Sequence, residues 1–86
     1  MARNVILPGP VLKDLSKLPR EIRLKFLSQL EMLLKNPAHP SLRNEKLEGA
    51  GSWAFSINME YRATYIFIGD NIAITAVGSH KDVLGN

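Results

Sequence analysis

No cysteine occurs among the 86 residues, which excludes disulfide staples, thiolate-bound zinc and a thiol nucleophile. Histidine is scarce as well: His39 and His80 are the whole complement, too few for a histidine-built metal site. The acids Asp14, Glu21, Glu31 and Asp70 are scattered and form no cluster suited to a divalent cation. No metal or other cofactor is therefore expected. Uncharged stretches all fall far short of the ~20 apolar residues that span a bilayer. Nothing after Met1 has the features of a signal peptide. A cytoplasmic chain without membrane contact is the expectation. A glycine-rich phosphate loop is missing too, since Gly49-Ala50-Gly51 does not open a helix. No serine has a histidine and an acid at motif spacing.

What is present fits one small globular domain covering residues 1–86. Such a chain buries only about 60–65% of the surface its unfolded form exposes, so most of its 45% hydrophobic residues are committed to the core. The formal charge of +3 is uneven. Residues 1–46 carry nine basic and four acidic side chains, and residues 47–86 carry two basic and four acidic. A basic half suggests an anionic partner such as nucleic acid, although a solvated basic helix surface has the same composition.

The order of elements reads strand, helix, helix, strand, strand, strand. Arg3 to Leu7 is a strand candidate stopped by Pro8-Gly9-Pro10. Apolar residues at Val11, Leu12, Leu15 and Leu18 have helical spacing, and Pro19 ends that helix and opens the next. Ile22, Phe26, Leu30 and Leu33 line one face of the second helix, widened by Leu27 and Leu34, until Asn36-Pro37 stops it. Ala38 to Ser52 reads as a long loop, and loops of that length are often functional. Trp53, Phe55 and Ile57 alternate with Ala54, Ser56 and Asn58, the pattern of a strand with one buried face. Tyr61–Ile68, a Gly69-Asp70-Asn71 turn and Ile72–Val77 complete a hairpin. The expected fold is α+β: an N-terminal strand, a two-helix hairpin, then antiparallel strands in a small sheet with the helices on one face.

Five residues carry candidate chemistry. Histidine is suited to proton transfer near neutral pH, which marks His80 after the last strand; a plain surface histidine is the other reading. Arg62, on a strand, can give a phosphate two parallel N–H bonds; an edge-strand arginine paired with Glu60 or Asp82 is the other reading. Glu45 and Lys46 in the loop can supply a carboxylate base and a phosphate contact. Trp53 has the ring to stack on a base, and equally the position of a core residue.

Lys13-Asp14-Leu15-Ser16-Lys17-Leu18-Pro19, Leu47-Glu48-Gly49 before Trp53, Tyr61-Arg62-Ala63-Thr64-Tyr65 and Gly78-Ser79-His80-Lys81-Asp82-Val83, in this order, resemble the RelE/ParE superfamily. These are toxins of bacterial and archaeal type II toxin–antitoxin modules, and the resemblance covers nearly the whole chain. It implies a RelE-like fold and, on the RelE/YoeB-like branch, a metal-independent endoribonuclease that cuts messenger RNA in the ribosomal A site. By position, Arg62 matches the arginine that contacts the transition-state phosphate. His80 matches the general acid for the leaving 5′-oxygen, and Glu45 the general base for the 2′-hydroxyl. Lys46 falls near lysines with related roles. Arg43, Lys46 and Lys81 are the expected RNA contacts. The expected partners are a cognate antitoxin that folds around the toxin in a hetero-oligomer, with messenger RNA and the ribosome as targets.

Two departures stand out. Leu84 occupies a place where ribonuclease members commonly carry an aromatic ring, and Phe55 and Ser56 stand where an arginine is usual. They keep two alternatives in view: a ParE-like DNA gyrase inhibitor without ribonuclease chemistry, and a degenerate toxin that only binds its antitoxin.

Overall fold

The computed structural model describes residues 4–49 and 51–84, so Arg3 of the expected first strand and Ala50 of the expected loop lie outside the described residues. The elements are β1 (Val5–Ile6), α1 (Gly9–Ser16), α2 (Arg20–Lys35), β2 (Glu45–Lys46), β3 (Trp53–Ser56), β4 (Tyr61–Ile68), β5 (Asn71–Ser79) and α3 (His80–Leu84). One five-stranded sheet has the order β1-β5-β4-β3-β2. The α+β architecture matches the expectation, with differences of detail.

The sheet is mixed. Strands β2 to β5 are antiparallel to their neighbours, but β1 runs parallel to β5, with Val5 opposite Ile72 and Ile6 opposite Ala73. Strand direction is set by the non-local return of the chain through the helices, and parallel neighbours require such a long connection. Helix α1 also starts earlier than the apolar spacing suggests. Leu12 N–H bonds the Pro8 carbonyl at 3.0 Å, so Pro10 sits in the first turn, where its missing N–H costs nothing. Beyond β5 the described residues continue into the short α3.

Helix α2 buries Phe26, Gln29, Leu30 and Leu33 at the i, i+3, i+4, i+7 spacing of one face, while Leu27 is 52% exposed. The apolar stripe therefore widens through Gln29 rather than through Leu27. Arg23 Nη1 donates to the Leu18 carbonyl at 2.7 Å and ties the two helices at the Lys17–Pro19 corner. The hairpin covers one face of the sheet, where Phe55, Ala63, Tyr65, Ile74 and Val77 meet Val11, Leu15, Phe26, Leu30 and Leu33. Phe26 stacks on Phe55 at 6.1 Å between ring centres.

Residues opposite one another across the ladders share a face. Trp53, Phe55, Tyr61, Tyr65 and Phe67 all fall on the helix-covered side, and Phe26 is on α2, so every aromatic ring of the chain lies on that side of the sheet. The other face carries Ala54, Ser56, Arg62, Thr64, Ala76 and Gly78. Alternation predicted that Ala54 and Ser56 would be exposed, yet both are buried. They are small and flanked by longer neighbours, Glu45 and Thr64 beside Ala54 and Arg62 beside Ser56. Thr75 is the extra residue of a bulge opposite Thr64–Tyr65, and its hydroxyl lies 2.6 Å from that of Thr64. The β4–β5 turn places Gly69 at φ 61, the position a II′ hairpin reserves for glycine.

Tyr65 is 1% exposed, and its hydroxyl donates to Asn44 Oδ1 at 2.6 Å. Burial raises its pKa. A raised phenol contributes stability that is present below the unfolded value of about 10 and lost as pH rises through the folded one. Tyr65→Phe should cost about 1 kcal/mol at pH 8, the worth of one hydrogen bond. The difference between the two proteins in urea unfolding should shrink above pH ~10. A pH-independent difference would remove titration of Tyr65 from the explanation.

Candidate functional site

The expected loop from Ala38 to Ser52 is partly structured, and that structure builds the site. Pro40–Leu42 forms a 3-10 turn capped by His39, whose Nδ1 accepts the Ser41 N–H at 3.1 Å. Leu42 plugs the core with no exposed surface. Arg43 follows at φ 44 and ψ 42, the single non-glycine residue of positive φ among the described residues. Left-handed backbone costs an L-residue roughly 1–2 kcal/mol, so something must hold it. Its N–H bonds the Pro40 carbonyl at 3.2 Å, and its carbonyl accepts from Arg62 Nη2 at 3.1 Å. The chain then enters β2, which presents Glu45 on the face of Arg62.

Arg62 is central and buried, at 8% exposure. It sits on β4 between β3 and β5, not on an edge, and its ion-pair partner is Glu45 at 3.3 Å rather than Glu60 or Asp82. The interior position follows from β3 and β5 both pairing with β4. Arg62 Nε is buried and has no hydrogen-bond partner. A buried, unsatisfied charged donor is costly and calls for an explanation. The guanidinium thus braces Arg43 and Glu45 with one nitrogen and keeps another without an acceptor from the protein.

His80 begins α3, two residues after Gly78, which is the register partner of Arg62; its N–H bonds the Glu60 carbonyl at 2.7 Å. It therefore lies at the same end of the sheet as Arg62 and the β3–β4 turn. Gly78 explains how α3 reaches this place. A Cβ there would come 3.3 Å from Val83 Cγ2 and 3.7 Å from Asp82 Cβ, so the missing side chain makes room for α3 on the Arg62 face. Lys81 and Leu84 are on the same short helix.

The structure thus brings Arg43, Glu45 and Arg62 into direct contact and sets His80 and Lys81 at the same end of the sheet. Lys46 is not among them. It pairs with Trp53, so it lies on the opposite face from its neighbour Glu45. Trp53 is part of an aromatic cluster with Tyr65 and Phe67 at 6.4 Å from each, on the helical side. That cluster lines an apolar cleft of about 380 Å³ with Leu33, Leu34 and Ile72, away from Arg62. Among the described residues no group of three or more His, Cys, Asp or Glu is placed to hold a metal ion. No helix among them is long and apolar enough to cross a membrane.

Sequence reasoning missed Gln29. Its Nε2 donates to the Ser41 carbonyl at 3.1 Å and to the Ser56 carbonyl at 3.0 Å, fastening the 3-10 turn to β3. The signal was available, since Gln29 is a polar residue on the apolar stripe of α2. Gly78 had no comparable signal, because its role depends on where α3 folds.

The family model for the ParE toxin of type II toxin–antitoxin systems, parDE, matches residues 5–84. Solved structures share the fold. The YoeB/ParE toxin from Agrobacterium tumefaciens is 18% identical with a TM-score of 0.77, covering 91% of this chain and 99% of that one. The archaeal RelE–RelB complex from Pyrococcus horikoshii is 25% identical with a TM-score of 0.74, covering 92% and 96%. The YoeB–YefM complex from Staphylococcus aureus is 23% identical with a TM-score of 0.73, covering 92% and 99%. No curated protein matches the chain.

Proposed function

Because the chain belongs to the ParE toxin family of type II toxin–antitoxin systems, we propose that it is the toxin of such a module and cuts messenger RNA on the ribosome. The observation that carries this reading is Arg62: a buried guanidinium whose Nε has no partner, braced against a carboxylate on the same face. A phosphate oxygen is the natural acceptor for that donor. The site is closed in the free chain. Glu45, with its side chain 53% exposed, is the piece able to swing aside as RNA enters.

The chemistry needs no metal. Glu45 takes the proton of the 2′-hydroxyl, the 2′-oxygen bonds to phosphorus, and the phosphorus–5′-oxygen bond breaks as His80 protonates the leaving oxygen. The products are a 2′,3′-cyclic phosphate and a 5′-hydroxyl. Arg62 stabilises the extra charge of the phosphorane, as preorganised donors do in a water-poor site. Arg43 and Lys81 add positive charge near the strand ends. The antitoxin partner follows from the family, and the neighbours from Pyrococcus horikoshii and Staphylococcus aureus are themselves toxin–antitoxin complexes.

The gyrase-inhibitor alternative is favoured by the match to the ParE toxin model and by one feature of the structure. All aromatic rings lie on the helical side of the sheet, so the Arg62 face offers no ring on which a base could stack. The deciding experiment is brief induction in bacterial cells with mapping of new messenger RNA ends, beside a His80→Ala control. Cuts in phase with the reading frame and absent from the control are the expected result. Intact messenger RNA with growth arrest and DNA-damage signalling would transfer the assignment to gyrase.

A further inference from the structure

Beside Arg43, between α2, the 3-10 turn and the β3–β4 turn, lies a shallow depression of about 400 Å³. Lys25 and Arg43 bring two cations to its wall, Ser41 and Asn58 bring polar groups, and no acid lines it. Its walls are fixed rather than incidental. Gln29, 4% exposed, ties the Ser41 carbonyl on one side to the Ser56 carbonyl on the other. Asn58 Oδ1 accepts the N–H groups of Glu60 and Tyr61 at 2.8 and 2.9 Å, which closes the β3–β4 turn and commits its oxygen to the backbone.

Two features remain that folding alone does not call for. Arg43 holds a left-handed conformation that glycine would adopt more readily, and such strain concentrates at functional positions. Met59 is 80% exposed at the tip of the turn, with its Sδ 3.9 Å from Arg43 Nη2. A cation and an apolar thioether are thereby presented together at the rim. The Arg43 carbonyl is held by Arg62, so the same residue joins this depression to the site of the proposed cleavage.

We propose that this depression is a second nucleotide subsite, which takes the phosphodiester flanking the scissile one in single-stranded RNA. Lys25 and Arg43 contact that phosphate, and Met59 lies against the attached base. The inference rests on the ribonuclease reading for its choice of RNA.

The test uses the full chain and a single-stranded RNA hexanucleotide methylated at every 2′-oxygen, which blocks the attacking group. Binding is followed by fluorescence anisotropy over a range of salt. Lys25→Ala and Arg43→Gly should each weaken binding roughly 3- to 10-fold and lower the salt slope by about 0.7, the value for one phosphate contact on a single strand. Thermal melts should show Arg43→Gly folded, because glycine suits that backbone. Lys35→Ala, which removes only the exposed partner of Glu31, should bind like wild type. Unchanged affinity and slope in both variants would overturn the subsite, as would a wild-type chain that does not bind the oligonucleotide. If those variants bind normally while the wild type cuts messenger RNA, the subsite falls and the ribonuclease stands. If they lose binding while messenger RNA stays intact in cells, the ribonuclease falls and the RNA subsite stands.

Discussion

Arg62→Met should lower messenger RNA cleavage by about 10²–10³-fold, the loss typical of one preorganised donor to developing charge. The melting temperature should stay within a few degrees of wild type. The two halves of this expectation have separate physical origins. Arg62 is 8% exposed and its Nε has no partner, so the wild type already bears the cost of a poorly satisfied buried charge. Removing one partner of a fully buried ion pair is costly because it strands the other charge, but Glu45 is not stranded here. Glu45 keeps water as an alternative partner because its side chain is half exposed. What methionine cannot supply is a donor to the phosphorane or to the Arg43 carbonyl. Arg62→Lys should not restore the activity, since one ammonium nitrogen can replace Nη2 at Glu45 and Arg43 but leaves no counterpart of the Nε donor offered to the phosphate. Single-turnover cleavage on programmed ribosomes, paired with thermal melts, reads both quantities. Wild-type cleavage by the methionine variant would remove Arg62 from the chemistry.

The periodic elements were readable from the sequence because their burial is one-sided and local. Val11 and Leu15 on α1 and Phe26, Leu30 and Leu33 on α2 repeat at helical spacing, and each of them is buried. Gly69 announced its turn through a backbone conformation that glycine adopts freely. What escaped depends on non-local geometry. The parallel β1 is set by the return of the whole chain. Strand β2 is two residues long, too short for any period, and its existence follows from the ladder with β3. Helix α3 depends on Gly78, whose missing side chain has meaning only once Val83 lies above it.

The site divides along the same line. Glu45 and Arg62 were candidates by residue type, and the ladders put them on one face. Lys46 was a candidate by the same reasoning, yet alternation along β2 turns it to the other side. Spacing of one residue is ambiguous in a loop and decisive in a strand. The other reading of Arg62, an edge-strand arginine paired with Glu60 or Asp82, fails because β4 lies inside the sheet. Once β3 and β2 add to the β4 side, the nearest carboxylate comes from the far edge.

Gln29 offers the largest effect on stability that the site's architecture predicts. Gln29→Met keeps the length of the side chain and removes both donors. The Ser41 and Ser56 carbonyls then lose a bond each; the Ser41 carbonyl is only part-buried and can turn to water, but leaving the buried Ser56 carbonyl unpaired costs ~1–3 kcal/mol. A net loss of about 2 kcal/mol is expected after the gain from a more apolar side chain, and at ~4–8 °C per kcal/mol for a domain of this size the melting temperature should fall by roughly 8–16 °C. Gln29→Glu should be worse still, because a carboxylate facing two carbonyls is repelled where the amide was bonded. The order of stability is therefore glutamine, methionine, glutamate. Since the same two bonds hold the 3-10 turn against β3, loosening them also frees Arg43 from its left-handed seat. RNA binding by Gln29→Met should accordingly weaken even below its melting range, where the core is intact. Urea titration and anisotropy on the same samples separate the two consequences. A methionine variant as stable as wild type would mean that the carbonyls find other donors and that Gln29 does not set the position of Arg43.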